Sequence, residues 1–576
     1  MILCYADNLT PMMKCLIISL SLALPLATMA QSTFIPYNQD YQHLVERYEI
    51  KRGKFSEHLL LSVKLLERRG VAALADSILK ENRMGLNKND RFNLFYLLND
   101  NSEWADTTTD RSKRPLLGTF YKYSPDLYRA DVKDFNLHIN PVLHLGMGVA
   151  TGSENRPFLN TRGAEMRGLI ANRVGFYTYL ADNIMLFPNY VMDYIGKNNA
   201  VPGEGFWKTR TESGVLDNTG VTVLTARGYV SFDILKNIMS FQMGHDKQFY
   251  GNGYRSLILS DFAANSLFAK FNTRVWKINY TNSYMQLTAD AVGTNRVYPK
   301  KYAVFHHLGI NITDNLNVGL FESVVYGRRD GYKNDTFDLS YLNPIIFYRW
   351  VEQQVGSADN SIIGFDWRWN FLKKFQFYGQ FVLDEFKLSE MRAGNGWWGN
   401  KNGWQAGMKY IDALGIKNLD LQAEYNAVRP YTYSHFIDAS LSNHAHFNQA
   451  LAHPLGANFR EFIGIARYQP IPRLMLTGKM IYVQQGLDGR NENWGSNILL
   501  DNTTRQQEYG NKIGQGIAST LLFGDFTASY QLKHNLFIDL KQVIRHLQSD
   551  DAARNSNVSF TSLAVRLNIA QRLHEF

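Results

Sequence analysis

Cysteine is nearly absent from the 576-residue chain: Cys4 and Cys15 are the two it has, and both lie at the extreme N-terminus. Disulfides, cysteine-bound metals and thiol catalysis are thereby excluded from everything that follows them. Beyond the N-terminus no apolar run reaches 18 residues, which excludes membrane-spanning helices. Excess charge is also small. A formal net charge of +9 over this length does not mark a nucleic-acid binder. Phosphate-cradling loops are missing as well, because no βα unit follows Gly251-x-Gly253. Ser, His and Asp are present but no spacing assembles them into a catalytic set, so we expect no enzyme, no cofactor and no resident metal. Four histidines, His435, His444, His446 and His453, fall in one loop, where His444 and His446 could share an ion only if the chain is extended. A polar surface loop is the plainer expectation.

What the chain has in plenty is aromatic rings: 32 Tyr, 35 Phe and 10 Trp make 13% of it. Transmembrane β-barrels use rings at this density as girdles at both membrane interfaces, where the apolar body meets lipid and the polar tip stays wet. A soluble β-protein can be as aromatic, so the compartment matters. Met13-Lys14, the apolar stretch Cys15 to Ala27 and the small-x-Ala pattern Thr28-Met29-Ala30 read as a signal peptide cleaved before Gln31. Residues ahead of Met12 read as an upstream start, with the true one at Met12 or Met13. An exported chain has no nucleic-acid partner, and no cysteine at the cleavage point invites a lipid anchor.

Hydrophobic periodicity divides the remainder. From Asn38 to about Asp100, apolar residues recur at three- and four-residue steps (Leu59 to Leu61, Val63, Leu65, Leu66, then Val71, Leu74, Ile78). This predicts three or four short helices, with Ser56 and Asp90 as helix starts. The polar stretch 101–118 reads as a linker, so 31–118 forms a small helical domain expected in the periplasm. After about residue 130 the period becomes two. Ile363, Phe365, Trp367, Trp369 and Phe371 alternate with Gly364, Asp366, Arg368 and Asn370. Leu563, Val565, Leu567 and Ile569 alternate with Ala564, Arg566 and Asn568. A buried sandwich strand alternates in the same way, and connection length decides between them. Short turns at 171–173, 235–237, 273–275, 313–315, 372–374, 412–417, 470–472 and 534–535 alternate without a break with nine longer segments. That is the pattern of an up-and-down barrel with periplasmic turns and extracellular loops. Eight turns and nine loops give about 18 strands, placing a mainly β, antiparallel outer-membrane barrel over 119–576.

One segment carries a family resemblance. The run from Gly244 through Phe249-Tyr250-Gly251-Asn252-Gly253-Tyr254-Arg255 to Ser256-Leu257-Ile258-Leu259-Ser260-Asp261 resembles the signature of the Wzi-type capsule-assembly family. There an aromatic pair and two glycines precede a Ser-Leu-Ile-Leu-Ser-like stretch; the family's Trp-Trp-Gly-Pro-Gly is here Phe-Tyr-Gly-Asn-Gly. Leu342-Asn343-Pro344 through Arg349, Asp359-Asn360 and Gly364-x-Asp366 are similar to the same family. The helical part, with Glu49-Ile50-Lys51 and Ser62-Val63-Lys64, is similar to its RemB-like members associated with gliding motility. The resemblance implies an 18-stranded outer-membrane barrel with a periplasmic helical bundle that acts as a lectin, holding capsular or other surface polysaccharide. For RemB-like members it implies adhesion and gliding.

Holding a sugar polymer takes aromatic faces for the rings and fixed polar groups for hydroxyls and carboxylates. Two places supply them: Phe249, Tyr250, Tyr254 and Arg255, and the Gly/Asn-rich run that presents Trp397 and Trp398. The structural alternative for the first is a loop folded into the lumen, and for the second a girdle or a pin across the barrel mouth. Trp404, at a strand start, reads as girdle. The expected partners are surface or capsular polysaccharide and outer-membrane lipid. The rivals are an adhesion or gliding component working through protein partners or secretion machinery, a solute or lipid channel, and a rim-located hydrolase.

Overall fold

The computed structural model describes residues 32–105, 115–210, 220–289, 298–344, 359–436 and 442–576, less positions 58, 65, 82, 83, 154, 328, 331, 332 and 335. The signal-peptide expectation for 1–30, the middle of the expected linker and the Wzi-like residues 345–349 lie outside the described residues.

Eighteen antiparallel strands, β1–β18, close on themselves. In order they are β1 Phe135–Ala150, β2 Phe158–Ile170, β3 Val174–Leu186, β4 Gly220–Leu235, β5 Met239–Asp246, β6 Ser266–Val275, β7 Ile278–Thr288, β8 Lys300–Asn311 and β9 Leu316–Tyr326. They continue as β10 Asn360–Phe371, β11 Phe375–Leu383, β12 Asn402–Tyr410, β13 Leu419–Val428, β14 Phe459–Ile471, β15 Leu474–Leu487, β16 Ile517–Lys533, β17 Leu536–Ser549 and β18 Ser556–Leu567. Closure runs from Leu143↔Leu567 to Ala150↔Phe560 between the first strand and the last. Every backbone amide of the wall can therefore pair, which a hydrocarbon surround demands. All eight short turns fall within a few residues of where the sequence puts them. The first barrel strand begins at Phe135; ahead of it a short strand, Tyr128–Val132, folds back on Phe135–Ile139.

Each strand sorts its residues by face. In β10, Asp366, Arg368 and Asn370 are buried in the lumen, while Phe365 and Trp369 stay 43% and 37% exposed on the outside. In β18, Leu563 is 58% exposed while Arg566 is buried. An apolar outside around a polar inside inverts a soluble core and matches lipid. Rings gather at both ends of the wall. Near the short turns Phe375 stacks on Tyr410 at 4.4 Å and Trp369 lies 4.8 Å from Phe371. Toward the long loops Trp404, 45% exposed, lies 5.1 Å from Tyr425, as a girdle residue should.

The helical unit contains three α-helices: α1 Gln39–Arg52, α2 Arg68–Lys80 and α3 Lys88–Asp100. Their starts differ from the expected ones. Asn38 caps α1 by accepting from Asp40 and Tyr41, and Asn87 caps α3, with Asp90 three residues inside as the return half of a capping box. Ser56 starts no helix; its N–H donates to Glu49, and Leu61–Val63 form only a short 3-10 turn. Apolar periodicity extends through this turn because Leu59, Leu61 and Leu66 join the core of the unit, whatever their backbone does.

This unit is seated on the short-turn end of the barrel. Phe55 N–H donates to Asp314 O, Arg47 bonds Asp412 at 2.5 Å, Asn89 bonds Gln469 O at 2.6 Å and Tyr96 bonds Asn535 at 2.6 Å. Four turns are engaged in this way. Deeper in, Arg368 of β10 bonds Glu49 at 3.0 Å and Lys409 of β12 bonds Glu46 at 2.6 Å. Burial would push the Glu46 carboxyl up, but Lys409 and Lys64 overrule it and hold the group well below the usual carboxylate range.

Candidate functional site

The connection between β5 and β6 does not leave the barrel as a free loop. Its backbone turns inward: Tyr250 and Leu259 pair in a bridge, Gly251 N–H donates to Ser62 O of the helical unit at 2.7 Å, and Ser260 N–H donates to Leu451 O at 2.7 Å. The segment thus lies between the helical unit on one side and the loop 429–458 on the other. Glu424 on the β13 wall anchors it, accepting from the N–H groups of Tyr254 at 2.6 Å and Arg255 at 3.0 Å and from Tyr378 Oη at 2.8 Å. Two glycines make the close approach feasible. Gly251 has φ +142°, and a Cβ there would stand 2.3 Å from Gln380 Nε2; one at Gly253 would stand 2.6 Å from both Gln405 and Glu424.

Four of the six candidate residues therefore sit inside the barrel. Phe249, Tyr250 and Tyr254 are buried, and Phe249 stacks on Tyr37 at 5.1 Å. Tyr254 Oη donates to Glu575 at 2.7 Å, while Arg255 bonds Glu461 and reaches the Glu575 carbonyl at 2.8 Å. Tyr254 and the Arg255 Nη groups are thus engaged by the chain itself, which is the geometry of a cross-strut, while Tyr250 Oη and Arg255 Nε have no partner among the described residues.

The other two candidates lie in the loop layer at the opposite end from the helices. The connection between β11 and β12 runs along that between β15 and β16: Gly510 N–H donates to Asn395 O at 2.8 Å, Asn511 N–H to Gly396 O at 2.9 Å and Trp398 N–H to Glu508 O at 2.9 Å. Trp397 and Trp398 are half-buried, with ring centres 6.0 Å apart. The Arg505 guanidinium stands 4.2 Å from the Trp398 ring and Lys401 Nζ 5.0 Å from it, with Tyr431 edge-on at 6.3 Å. Trp398 is therefore clamped among three loops. Trp397 is less enclosed, packed over Gly399 with Lys387 at 5.7 Å. Next to it in the paired loop, Tyr509 is 52% exposed. Arg505, Tyr431 and Tyr509 are the members of this cluster that sequence reasoning missed. Nothing in the spacing joins these positions to the tryptophans; the pairing of two loops brings Arg505 and Tyr509 near, and the fold of a third brings Tyr431.

Of the four loop histidines, His453 is buried against Glu461 at 2.7 Å, His435 is half-buried beside Ser442 at 2.9 Å, and His444 and His446 are buried and bonded to backbone. His444 Nε2 donates to Ile258 O at 2.9 Å; His446 donates to Asn265 O at 3.0 Å and accepts from Thr288 N–H at 2.9 Å. Burial pushes His444 down to about 4 and His446 to about 3, so both are neutral at physiological pH. Among the described residues no three His, Cys, Asp or Glu side chains gather as a metal site. Burial raises Asp384, at the foot of the Trp397 loop, to about 7 despite the nearby Lys401.

No family model matches this chain, and no curated protein matches it in sequence. Similarity appears in the fold. Wzi of Escherichia coli, an outer-membrane protein involved in group 1 capsule assembly and a carbohydrate-binding β-barrel, matches with a TM-score of 0.55 at 13% identity, over 94% of this chain and 100% of Wzi. OprD of Pseudomonas aeruginosa matches with a TM-score of 0.41 at 13% identity, over 76% of this chain and 97% of OprD. OccAB1 of Acinetobacter baumannii matches with 0.42 at 10% identity, over 75% and 96%. The chain has a Wzi-like fold, from helical unit to barrel.

Proposed function

We propose that this chain is a non-enzymatic outer-membrane lectin: its barrel sits in the outer membrane with the helical unit on the periplasmic side, and its loop layer holds capsular or other surface polysaccharide. The observation that carries this reading is the half-buried Trp397, backed by the Trp398–Arg505 pair, in a loop paired with that of the exposed Tyr509 on the face opposite the helices. A ring face supports the apolar face of a sugar, and Arg505, itself paired with Glu508, holds the Trp398 ring behind it. The Wzi-like fold supports the same reading, since Wzi is itself described as carbohydrate-binding.

The test is binding of the detergent-folded chain to surface polysaccharide from its own host. Trp397→Ala should weaken saturable binding about tenfold, equivalent to ~1.4 kcal/mol. Trp398→Ala should do the same by releasing the loops. Unchanged binding would move the site elsewhere on the surface. Absence of binding by the unaltered chain would sink the lectin reading and leave adhesion or gliding through protein partners as its replacement. A solute channel is the second reading, favoured by a cavity of about 400 Å³ that runs along one side of the lumen. Single-channel conductance separates the two, because a lectin needs no open path.

A further inference from the structure

The helical unit leaves part of the lumen unfilled. The cavity of about 400 Å³ extends from Arg473 and Asn535 at the short-turn end to Gly203 and Asp261 beneath the loop layer. Its lining is rich in charge, and several of its cations have a carboxylate of their own: Arg68 with Asp100 at 3.1 Å, Arg572 with Glu204 at 2.8 Å, Arg566 with Asp539 at 2.5 Å, and Lys479 with Glu575. Arg467 differs. It points inward from β14 and is only 6% exposed. Its Nη1 donates to a neutral acceptor, Gln422 Oε1, at 3.1 Å, and its Nε has no partner. Among the described residues no carboxylate lies within ion-pair distance of it. The acid opposite it in register, Asp420, is already held by His43 at 2.9 Å and by Arg47.

A guanidinium taken out of water without a counter-charge is costly, and the cost falls when an anion completes it. The wall beside Arg467 is built to receive one that carries hydroxyls. Thr477 faces Arg467 in register on β15, Thr527 faces Thr477 on β16, and Ser529 Oγ accepts from Gln571 at 3.2 Å; all three line the cavity. We propose that this cavity binds a small carboxylate- or phosphate-bearing solute whose charge is taken by Arg467 and whose hydroxyls meet the Thr/Ser wall. The site is distinct from the Trp397 cluster, and its existence does not depend on the lectin reading.

Calorimetric titration of the full, detergent-folded chain tests it, with D-glucuronate, inorganic phosphate and D-glucose as probes. Saturable binding of glucuronate identifies a carboxylate ligand, binding of phosphate identifies a phosphate ligand, and either supports the site provided that glucose does not bind. Arg467→Gln should lower the affinity at least tenfold and Arg467→Lys should lower it less. Thr477→Phe, which fills the cavity while leaving Arg467 in place, should abolish binding and carries the test if Arg467→Gln does not fold. Trp397→Ala should leave binding unchanged. No binding of either anion, equal binding of glucose, full affinity in folded Arg467→Gln, or loss in Trp397→Ala would each overturn the proposal.

Discussion

Arg368 and Glu49 are 319 positions apart in sequence and 3.0 Å apart in space, both buried, with the Phe55 ring 4.0 Å from the guanidinium. Contacts of this kind hold the helical unit in place. Their worth lies less in the attraction than in the cost of leaving one partner alone, because an uncompensated charge inside the barrel has no water to turn to. Arg368→Ala should therefore cost about 3–5 kcal/mol. Denaturant unfolding of the detergent-folded chain measures it, and a loss under 1 kcal/mol would mean that water already reaches this pair.

At the scale of elements, the strands and the loop layer obey different rules. A strand faces lipid with every second residue, so Leu563, Met147 and Leu540, paired across β18, β1 and β17, form a continuous apolar strip. Leu563→Arg should cost ~2–4 kcal/mol if the strip lies near mid-membrane. Folding into lipid vesicles, followed by the heat-dependent gel shift, checks this. The loop layer is instead pinned by buried titratable groups. His444 and His446 have folded values below that of a free histidine, so their stabilising contribution is complete above about pH 6.5. It is lost as the pH falls toward about 4 and 3. Asp384 acts in the opposite sense. Its value is raised to about 7, so the folded state gains as the pH falls from 7 toward 4. Acidification from pH 7.5 to 5 should loosen the loops, seen as faster hydrogen exchange or protease nicking in 429–458. Asp384→Asn should loosen them further on the same change, and equal pH responses would refute the offset.

For the molecule as a whole, three layers cross one lumen: the helical unit, the strut from Phe249 to Asp261 and the outer loops. Each is tied to the next, since Ser62 meets Gly251 and Ser260 meets Leu451. In planar bilayers the intact chain should show no resolved conductance, because the three layers together close the lumen. Deleting 32–105 should make conductance measurable while the wall strands persist. An unchanged conductance would assign closure to the strut and loops.

The number of strands, the lipid-facing side of strands such as β10 and the positions of all eight short turns were legible in the sequence. The alternation read through Ile569, however, stops at Leu567, where β18 ends and Ile569 turns to the lumen. Period-two alternation and turn chemistry are local properties, and a one-residue slip would expose Asp366 and Arg368 to hydrocarbon. The helices were legible as a group but their ends were not, because Asn38 and Asn87 act as caps only through the backbone that follows them. The site was legible in part. Trp397 and Trp398 stood out by composition, yet Trp398's partners Arg505 and Tyr431 come from loops that no spacing rule connects to it. Phe249, Tyr250, Tyr254 and Arg255 carried a strong motif, and only the fold could show that its glycines serve a close approach to Gln380, Gln405 and Glu424. Whether a conspicuous residue faces a ligand or a neighbouring strand depends on contacts far apart in the chain. Those contacts exist only once the barrel has closed.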